Sequence, residues 1–388
     1  MSWRDICPMD ERIKFIAAVR ENKSSMSKIC QRFGISRKTG YKWLERYEEE
    51  GPQGLYEHSR ARKTQSHQTP SNQLKRIIKA KRKFKDWGPK KLKAWLESEY
   101  SLERWPAAST IGDILKKHGM VEPRKIRRSV SPQTTPFSDC NTSNDVWSAD
   151  FKGQFRTGDK KYCYPLTITD NHSRFIIACD GYLNPTLKNV QKSMINAFKT
   201  YGLPKAIRTD NGTPFASTSV GGISQLSMWW LKLNIYPERI DLGHPEQNGR
   251  HERMHRTLKK ATALPAQGNL GRQNKAFKKF IDEFNYIRPH EALGNNKPCN
   301  VYNGSDKEYP SKMPEVVYPE ERLIRKVRSN GQVKLNGKLI FISELLYGEP
   351  VGILQIEDGI WDIAFSRLGL GIIDERRGKL IRYDKFYD

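Results

Sequence analysis

Trp147-Ser-Ala-Asp150-Phe-Lys-Gly153 opens the part of the chain that decides its fold. Trp147, Ala149 and Phe151 alternate with Ser148 and Asp150, the period-2 signature of a strand with one apolar face, so Asp150 points away from that face. The strand reading runs from Val146 to Phe155. Tyr162 to Thr169 and Arg174 to Gly181 repeat it, separated by turn residues, which predicts a meander. Helical spacing follows from Leu187 to Tyr201, and a short strand from Lys205 to Thr209 ends at Asp210. A helix over Gly222 to Leu233, a strand over Ile235 to Ile240 and long helices at Gln247 to Ala263 and Arg272 to Ile287 complete the pattern. The order βββαβαβαα describes a mixed sheet flanked by helices.

Asp210 stands in Ile207-Arg-Thr-Asp-Asn-Gly212, and Glu252 in His244-Pro-Glu-Gln-Asn-Gly-Arg-His251-Glu-Arg-Met-His255. Taken singly, Asp-Asn-Gly is an ordinary turn and a lone strand aspartate is simply solvated. Adjacent strands of this topology bring Asp150 and Asp210 to one sheet edge, where the helix carrying Glu252 completes a cluster. Such a cluster gathers negative charge around a pair of hard divalent cations, which drive in-line chemistry at phosphodiesters. Arg256 and Lys259 follow Glu252 at helical spacing on the same face, where they would hold DNA phosphate beside the metals; a solvated basic stripe is the alternative.

The chain has 388 residues, more than one core usually serves, and a net charge of +25, whose natural partner is a polyanion. Nucleic acid comes first. Anionic membrane comes second, because no segment approaches the roughly 20 apolar residues needed to span a bilayer. The N-terminus lacks a secretory profile, which predicts a cytoplasmic, nucleoid-associated protein. The six cysteines are scattered without a Cys-x-x-Cys pair, arguing against a disulfide framework or a cysteine zinc site.

Upstream, apolar residues recur at helical spacing: Ile13, Ile16 and Ala17, then Ile29, Cys30 and Phe33, then Tyr41, Leu44 and Tyr47. Phe33-Gly-Ile-Ser36 supplies a tight turn and a helix cap, which predicts a helix-turn-helix. Arg37, Lys38, Thr39 and Lys42 would then face a DNA groove while Tyr41 and Leu44 pack inward. Residues 1–57 are read as this domain, 58–72 as a linker, and 73–121 as a second helical, helix-turn-helix-like domain. Residues 122–144 form a basic linker in which Arg124, Lys125, Arg127 and Arg128 would follow a phosphate backbone. Residues 145–300 are read as the domain that carries the three acids. Residues 301–388 carry two hairpin signals, Asn336-Gly337 and Asp358-Gly359, and predict a small β-barrel.

The fold order, the Asp…Asp-Asn-Gly…Asn-Gly-x-x-Glu-Arg pattern and the run Tyr286-Ile-Arg-Pro-His-Glu-Ala-Leu-Gly294 resemble the catalytic core of the retroviral-integrase superfamily. More narrowly, they resemble bacterial insertion-sequence transposases of the Asp-Asp-Glu type. The likeness is dense from about Asp145 to Pro298 and looser in the flanking domains. It implies a multidomain α and α/β protein: N-terminal helix-turn-helix domains, an RNase H-like mixed-sheet core and a C-terminal small all-β barrel. It also implies two Mg²⁺ or Mn²⁺ ions and a homo-oligomer that pairs two transposon ends. One site would perform 3′-end cleavage and then strand transfer into target DNA. Asp150 and Asp210 would hold the metals, and Glu252 would ligate the second. The interval between Asp210 and Glu252 is somewhat longer than the family's usual spacing, and the surplus falls in Ala216 to Ile223.

Two rivals share these residues. His251-Glu-Arg-Met-His255 satisfies the H-E-x-x-H pattern of zinc peptidases, but its helix is polar and cationic and the upstream aspartates would be unexplained. On the transposase reading, His251 and His255 are surface or DNA-facing residues. The second rival is a transposase-derived DNA-binding regulator without catalysis. Clustered carboxylates argue against it, because they would repel the phosphates such a protein must hold.

Overall fold

The computed structural model describes residues 8–58, 69–121, 140–210, 212–215, 222–240, 249–381 and 383. The chain divides into two compact units, Met1–Pro70 and Ser71–Asp388.

The first unit contains α1 (Pro8–Arg20), α2 (Met26–Arg32) and α3 (Arg37–Glu50), closed by a 3₁₀ turn at Gly51–Leu55. The expected turn is present. Gly34 takes φ +66°, and the Ser36 hydroxyl accepts from the Thr39 amide at 3.1 Å, capping α3. Phe15, Ile16, Ile29, Cys30, Trp43 and Leu55 form the core.

The helix faces differ from expectation by about one position. Tyr41 is 56% exposed, and α3 instead buries Gly40 and Trp43, with Leu44 only partly covered. Ile13 and Ala17 face solvent, while α1 buries Arg12, Phe15 and Ile16. The cause is a charged residue on the inner face, which apolar periodicity passes over. The Arg12 guanidinium lies 3.8 Å from the Trp43 ring centre, donates to the Leu55 carbonyl at 2.7 Å and pairs with Glu57 at 2.8 Å. Stacked and paired, it is an acceptable core cation.

The second unit begins with α4 (Ser71–Lys83), α5 (Pro89–Glu99) and α6 (Ala108–Lys117), packed around Ile77, Leu92, Leu96, Trp105, Ile111 and Leu115. Next come β1 (Val146–Phe151), β2 (Phe155–Arg156), β3 (Tyr162–Asp170), β4 (Ile176–Tyr182), α7 (Leu187–Tyr201), β5 (Ala206–Thr209), α8 (Gln225–Lys232), β6 (Tyr236–Arg239), α9 (Gly249–Thr262) and α10 (Leu270–Asp282). A π-helical turn, Glu283–Ile287, ends the run. The sheet order is β4-β3-β1-β5-β6, with β2 a short ribbon on β3. The first three strands are antiparallel, and β1, β5 and β6 are parallel. This is the mixed sheet that the βββαβαβαα pattern predicts. The first predicted strand is shorter than expected, because Gly153 at φ +87° breaks the extension between β1 and β2.

Strand alternation sorts the two faces. Trp147, Ala149, Leu166 and Ile168 pack with Val190, Met194 and Phe198 of α7 and with Leu226 and Trp230 of α8. On the other face Ile176 and Cys179 meet Met254 and Leu258 of α9 and Phe277 and Phe280 of α10. The outer edge of β4 is closed by side-chain amides: Asn274 bonds both backbone groups of Gly181, and Asn285 those of Ile176.

The C-terminal strands are β7 (Leu323–Lys326), β8 (Gln332–Leu335), β9 (Lys338–Phe341), β10 (Pro350–Glu357), β11 (Ile360–Phe365), β12 (Leu368–Asp374) and β13 (Lys379–Ile381). Five form an antiparallel sheet, β13-β12-β11-β10-β7. Hairpin β8–β9, turned at Asn336-Gly337, lies against both edge strands and gives a small barrel-like body. Its core includes Ile223 and Leu231 from around α8, and Lys232 pairs with Glu349, so this body is seated on the mixed-sheet core.

Candidate active site

The β1–β5 ladder pairs Trp147 with Ile207 and Ser148 with Arg208. Continued by two residues, that register places Asp150 beside Asp210 at the carboxyl ends of neighbouring strands, roughly 5 Å apart across the ladder. The chain then turns sharply at Gly212, whose amide donates to the Asp210 carboxylate at 3.2 Å. A Cβ at position 212 would stand 3.0 Å from that carboxylate, so glycine lets the turn close over it.

Helix α9 covers the opposite face of the sheet. Its inner stripe is His251, Met254, His255 and Leu258, while Glu252, Arg256 and Lys259 are exposed together, as their spacing predicts. The Asp150 carboxyl feels the other two acids. Burial is the main force pushing the Asp150 carboxyl up to about 7; Asp210 adds to it, the Phe151 amide and Lys152 oppose it, and Glu252 adds a smaller push.

The donor set fits hard divalent cations. Three carboxylates supply only oxygen, and ionising Asp150 against two neighbouring acids is unfavourable until positive charge joins them. Two ions about 3.5–4 Å apart need ligands spread over a wider span than one ion does, so the acids need not converge on a single point. Among the described residues, the set of three potential ligand groups lying within 4.8 Å of one another is Asp150, His251 and His255.

Those histidines correct the sequence reading, which put them at the surface or on DNA. His251 is 2% and His255 5% exposed. Both point inward because α9 presents them to Thr167 and Thr169 of β3, which alternate onto the same sheet face as Asp150, Thr167 directly across from it and Thr169 across from Ser148. The Thr167 hydroxyl is the hub: it bonds His251 Nε2 at 2.7 Å and His255 Nε2 at 2.6 Å, and donates to the Asp150 carbonyl at 3.1 Å. Its one proton goes to the carbonyl and its two lone pairs face the rings, so both imidazoles carry their proton on Nε2. His251 Nδ1 then accepts from the Thr169 hydroxyl at 2.9 Å, and His255 Nδ1 presents a lone pair 3.8 Å from Asp150 Oδ2. Burial pushes His251 down to about 3; His255 is lowered by burial, then by His251 and Lys152. Both rings are neutral packing groups. A zinc-peptidase centre needs a nitrogen from each ring on one metal, whereas here both Nε2 atoms are held by threonine and His251 has neither nitrogen free.

Thr167 and Thr169 were absent from the sequence reading. Their alternation in Tyr162-Cys-Tyr-Pro-Leu-Thr-Ile-Thr-Asp170 places them on the face opposite Leu166 and Ile168, a signal available once β3 is paired with β1.

In the first unit Arg37, Lys38 and Lys42 are exposed on α3. Thr39 is engaged locally, its hydroxyl 2.8 Å from that of Ser36. Exposed Tyr41 joins this face. Arg124, Lys125, Arg127 and Arg128 lie outside the described residues.

Four family models match stretches of the chain. An Integrase core domain model matches residues 141–245 and a second of the same description matches 233–298. A Helix-turn-helix domain model matches 11–63 and a Homeodomain-like domain model matches 39–115. Among solved structures, the HTLV-2 integrase catalytic core domain in complex with magnesium is 17% identical, with TM-score 0.34, covering 42% of this chain and 98% of that one. A chain of the simian T-cell lymphotropic virus intasome in complex with PP2A regulatory subunit B56 gamma is 17% identical, with TM-score 0.37 over 77% of this chain and 96% of that one. The BIV integrase catalytic core is 18% identical, with TM-score 0.32 over 41% and 93%.

Proposed function

We propose that this chain is a DNA transposase that binds the terminal inverted repeats of a mobile element, cleaves the 3′ ends and joins them to target DNA. Helix-turn-helix domains ahead of an integrase core domain support an insertion-sequence transposase of the Asp-Asp-Glu type, with DNA-binding and recombination function. The observation that carries the catalytic reading is that Asp210, on the strand next to β1, and Glu252, on α9, both push the Asp150 carboxyl up.

Asp150 and Asp210 would hold two Mg²⁺ or Mn²⁺ ions, with Glu252 on the second. Bound there, such ions lower the pKa of an attacking water or hydroxyl and neutralise charge on the leaving oxygen. The chain's own residues supply the frame. Thr167, His251 and His255 fix the β1 backbone at Asp150, and the Gly212 amide orients the Asp210 carboxylate. Arg256 and Lys259, exposed beside Glu252, would hold the DNA backbone against the acids they flank. The partners would be double-stranded DNA, at transposon ends and target, and further copies of this chain in the paired complex. The domain limits 1–57, 73–121, 145–300 and 301–388, with linkers between the first three, belong to the same proposal. Among the described residues no helix is long and apolar enough to cross a membrane.

The test is substitution: Asp150→Asn, Asp210→Asn and Glu252→Gln each abolish Mg²⁺-dependent cleavage and strand transfer while end binding persists. Strand transfer retained in a variant removes that residue from the site. A wild-type protein that binds ends but never cuts them in Mg²⁺ or Mn²⁺ is the DNA-binding regulator instead.

A further inference from the structure

The run Tyr286-Ile-Arg-Pro-His290 has no part in the carboxylate site, yet it closes a cavity of about 430 Å³ on the other flank of α9. The cavity is bounded by α5, the turn after β3, α9 and the segment after α10. Lys91, Arg174, Arg250, Arg253, Arg288 and His290 line it.

Five cations around one cavity repel one another unless something negative sits between them. Among the described residues, none of the five lies within ion-pair distance of a carboxylate. Lys90, next to Lys91, takes Glu291 at 2.5 Å. Asp170 is at the cavity wall, but its carboxylate already accepts from the Asn144 amide at 2.8 Å and from the Ser173 amide at 2.8 Å and hydroxyl at 2.5 Å. Donors are left over. Among the described residues Arg174 Nη1, Arg288 Nε and Asn171 Nδ2 are buried donors with no hydrogen-bond partner. Such atoms are costly to leave unpaired, and several around one cavity indicate a missing acceptor.

The protonation balance shows the same strain. Burial, followed by Arg250 and Arg253, pushes Arg174 down to about 10. Burial, followed by Arg288 and opposed by Glu291, pushes Lys91 down to about 8. Guanidinium forks match phosphate oxygens in a bidentate manner, which makes arginine-rich cavities suited to phosphate.

We propose that this cavity is a phosphate-binding site that takes a backbone phosphate of DNA lying across α9. The inference rests on the transposase reading for the source of the phosphate and on the cavity alone for its chemistry. On α9, Arg250, Arg253 and Thr257 face the cavity and Glu252, Arg256 and Lys259 lie on the other flank. A helix with its side chains is about 10–12 Å across. A nucleic acid on the exposed ridge therefore reaches the carboxylates on one side and this cavity on the other. With +25 net charge on the chain, DNA is the phosphate source that the protein as a whole is built to hold.

The experiment uses the full chain in EDTA, without catalysis, and has two arms. In the first, inorganic phosphate is added at constant ionic strength and the melting temperature is followed. It rises for wild type and is unchanged for Arg253→Gln, a rim variant that leaves the packing intact, and for the double variant Arg174→Gln/Arg288→Gln. In the second arm, duplex affinity is measured against salt; each variant lowers the slope of log K against log salt by about 0.9, one phosphate contact. Loss of the phosphate response with an unchanged slope overturns DNA as the source and assigns the site to a free phosphate compound. No phosphate response in wild type overturns the site altogether. Cleavage by Asp150, Asp210 and Glu252 is read separately in Mg²⁺, so the cavity can fail while the transposase reading stands, and the reverse.

Discussion

Thr167→Val removes one hydroxyl and leaves a side chain of nearly the same shape, so its effect reports the hub alone. In the folded protein that oxygen receives two imidazole N–H groups, at 2.7 and 2.6 Å, and donates to the Asp150 carbonyl at 3.1 Å. Valine offers none of these. A buried donor left without an acceptor costs about 1–3 kcal/mol, so two of them cost about 2–6 kcal/mol. His255 has one escape: it can move its proton to Nδ1, which faces Asp150 Oδ2 at 3.8 Å. His251 gains nothing from the same move, because the Thr169 hydroxyl that now donates to its Nδ1 would have to turn and accept, leaving its own proton without that acceptor. The lower end of the range, about 2 kcal/mol, is therefore expected to survive relaxation. Thr167→Ser keeps the hydroxyl and loses one methyl, a cost of about 1 kcal/mol.

Hydrogen–deuterium exchange suits this comparison because it reads opening segment by segment and does not require a chain of two units to unfold in one step. Amides of β3 and α9 should exchange at least about 30-fold faster in Thr167→Val than in wild type, by the tenfold-per-1.4 kcal/mol relation. Thr167→Ser should stay within about sixfold. Equal exchange in the two variants would refute the hub, and with it the assignment of both ring protons to Nε2.

Two further expectations follow from the same geometry. The Asp150 carboxyl is raised from its usual value near 4 to about 7, so in metal-free protein it opposes folding increasingly as pH rises through that window and fully above it. Asp150→Asn should then be more stable than wild type at pH 8, by at most about 4 kcal/mol, and indistinguishable at pH 4; melting curves in EDTA at both values check this. On α3, substituting Arg37, Lys38 or Lys42 should weaken end binding and reduce its salt slope by about one phosphate each, measured by titration across salt concentrations. Unchanged binding in all three would move recognition to the second helical block.

The parts of this fold that were legible in the sequence are those governed by alternation or by turn chemistry. Trp147, Ala149 and Phe151 announce β1, Ser36 announces the start of α3, and Asn336-Gly337 announces a hairpin, because each signal is local. The readings that missed depended on partners remote in sequence. Arg12 looks like a surface cation until Trp43 and Glu57 are brought to it, and its burial rotates the expected faces of two helices. His251 and His255 look exposed in a cationic helix until Thr167 and Thr169 arrive from β3 to satisfy them.

Helix α9 shows why composition misled there. At 3.6 residues per turn its sequence divides into three stripes with different surroundings. Histidines 251 and 255 share the inner stripe with Met254 and Leu258, and burial makes them neutral. Glu252, Arg256 and Lys259 share a flank, where an acid can hold metal and the bases can offset the charge of an approaching phosphate. Arg250 and Arg253 share the other flank with Arg174 and Arg288, where no carboxylate pairs with them among the described residues. The same cationic composition therefore has two physical consequences. Beside Glu252 the bases would lower its electrostatic barrier to DNA; around the cavity Asp170, Glu283 and Glu291 act on the cations only from beyond ion-pair distance, and an incoming anion would relieve the repulsion that remains. Neutralising Arg256 should thus weaken DNA binding without stabilising the free protein, whereas neutralising Arg174 should weaken it and raise the melting temperature of the free protein.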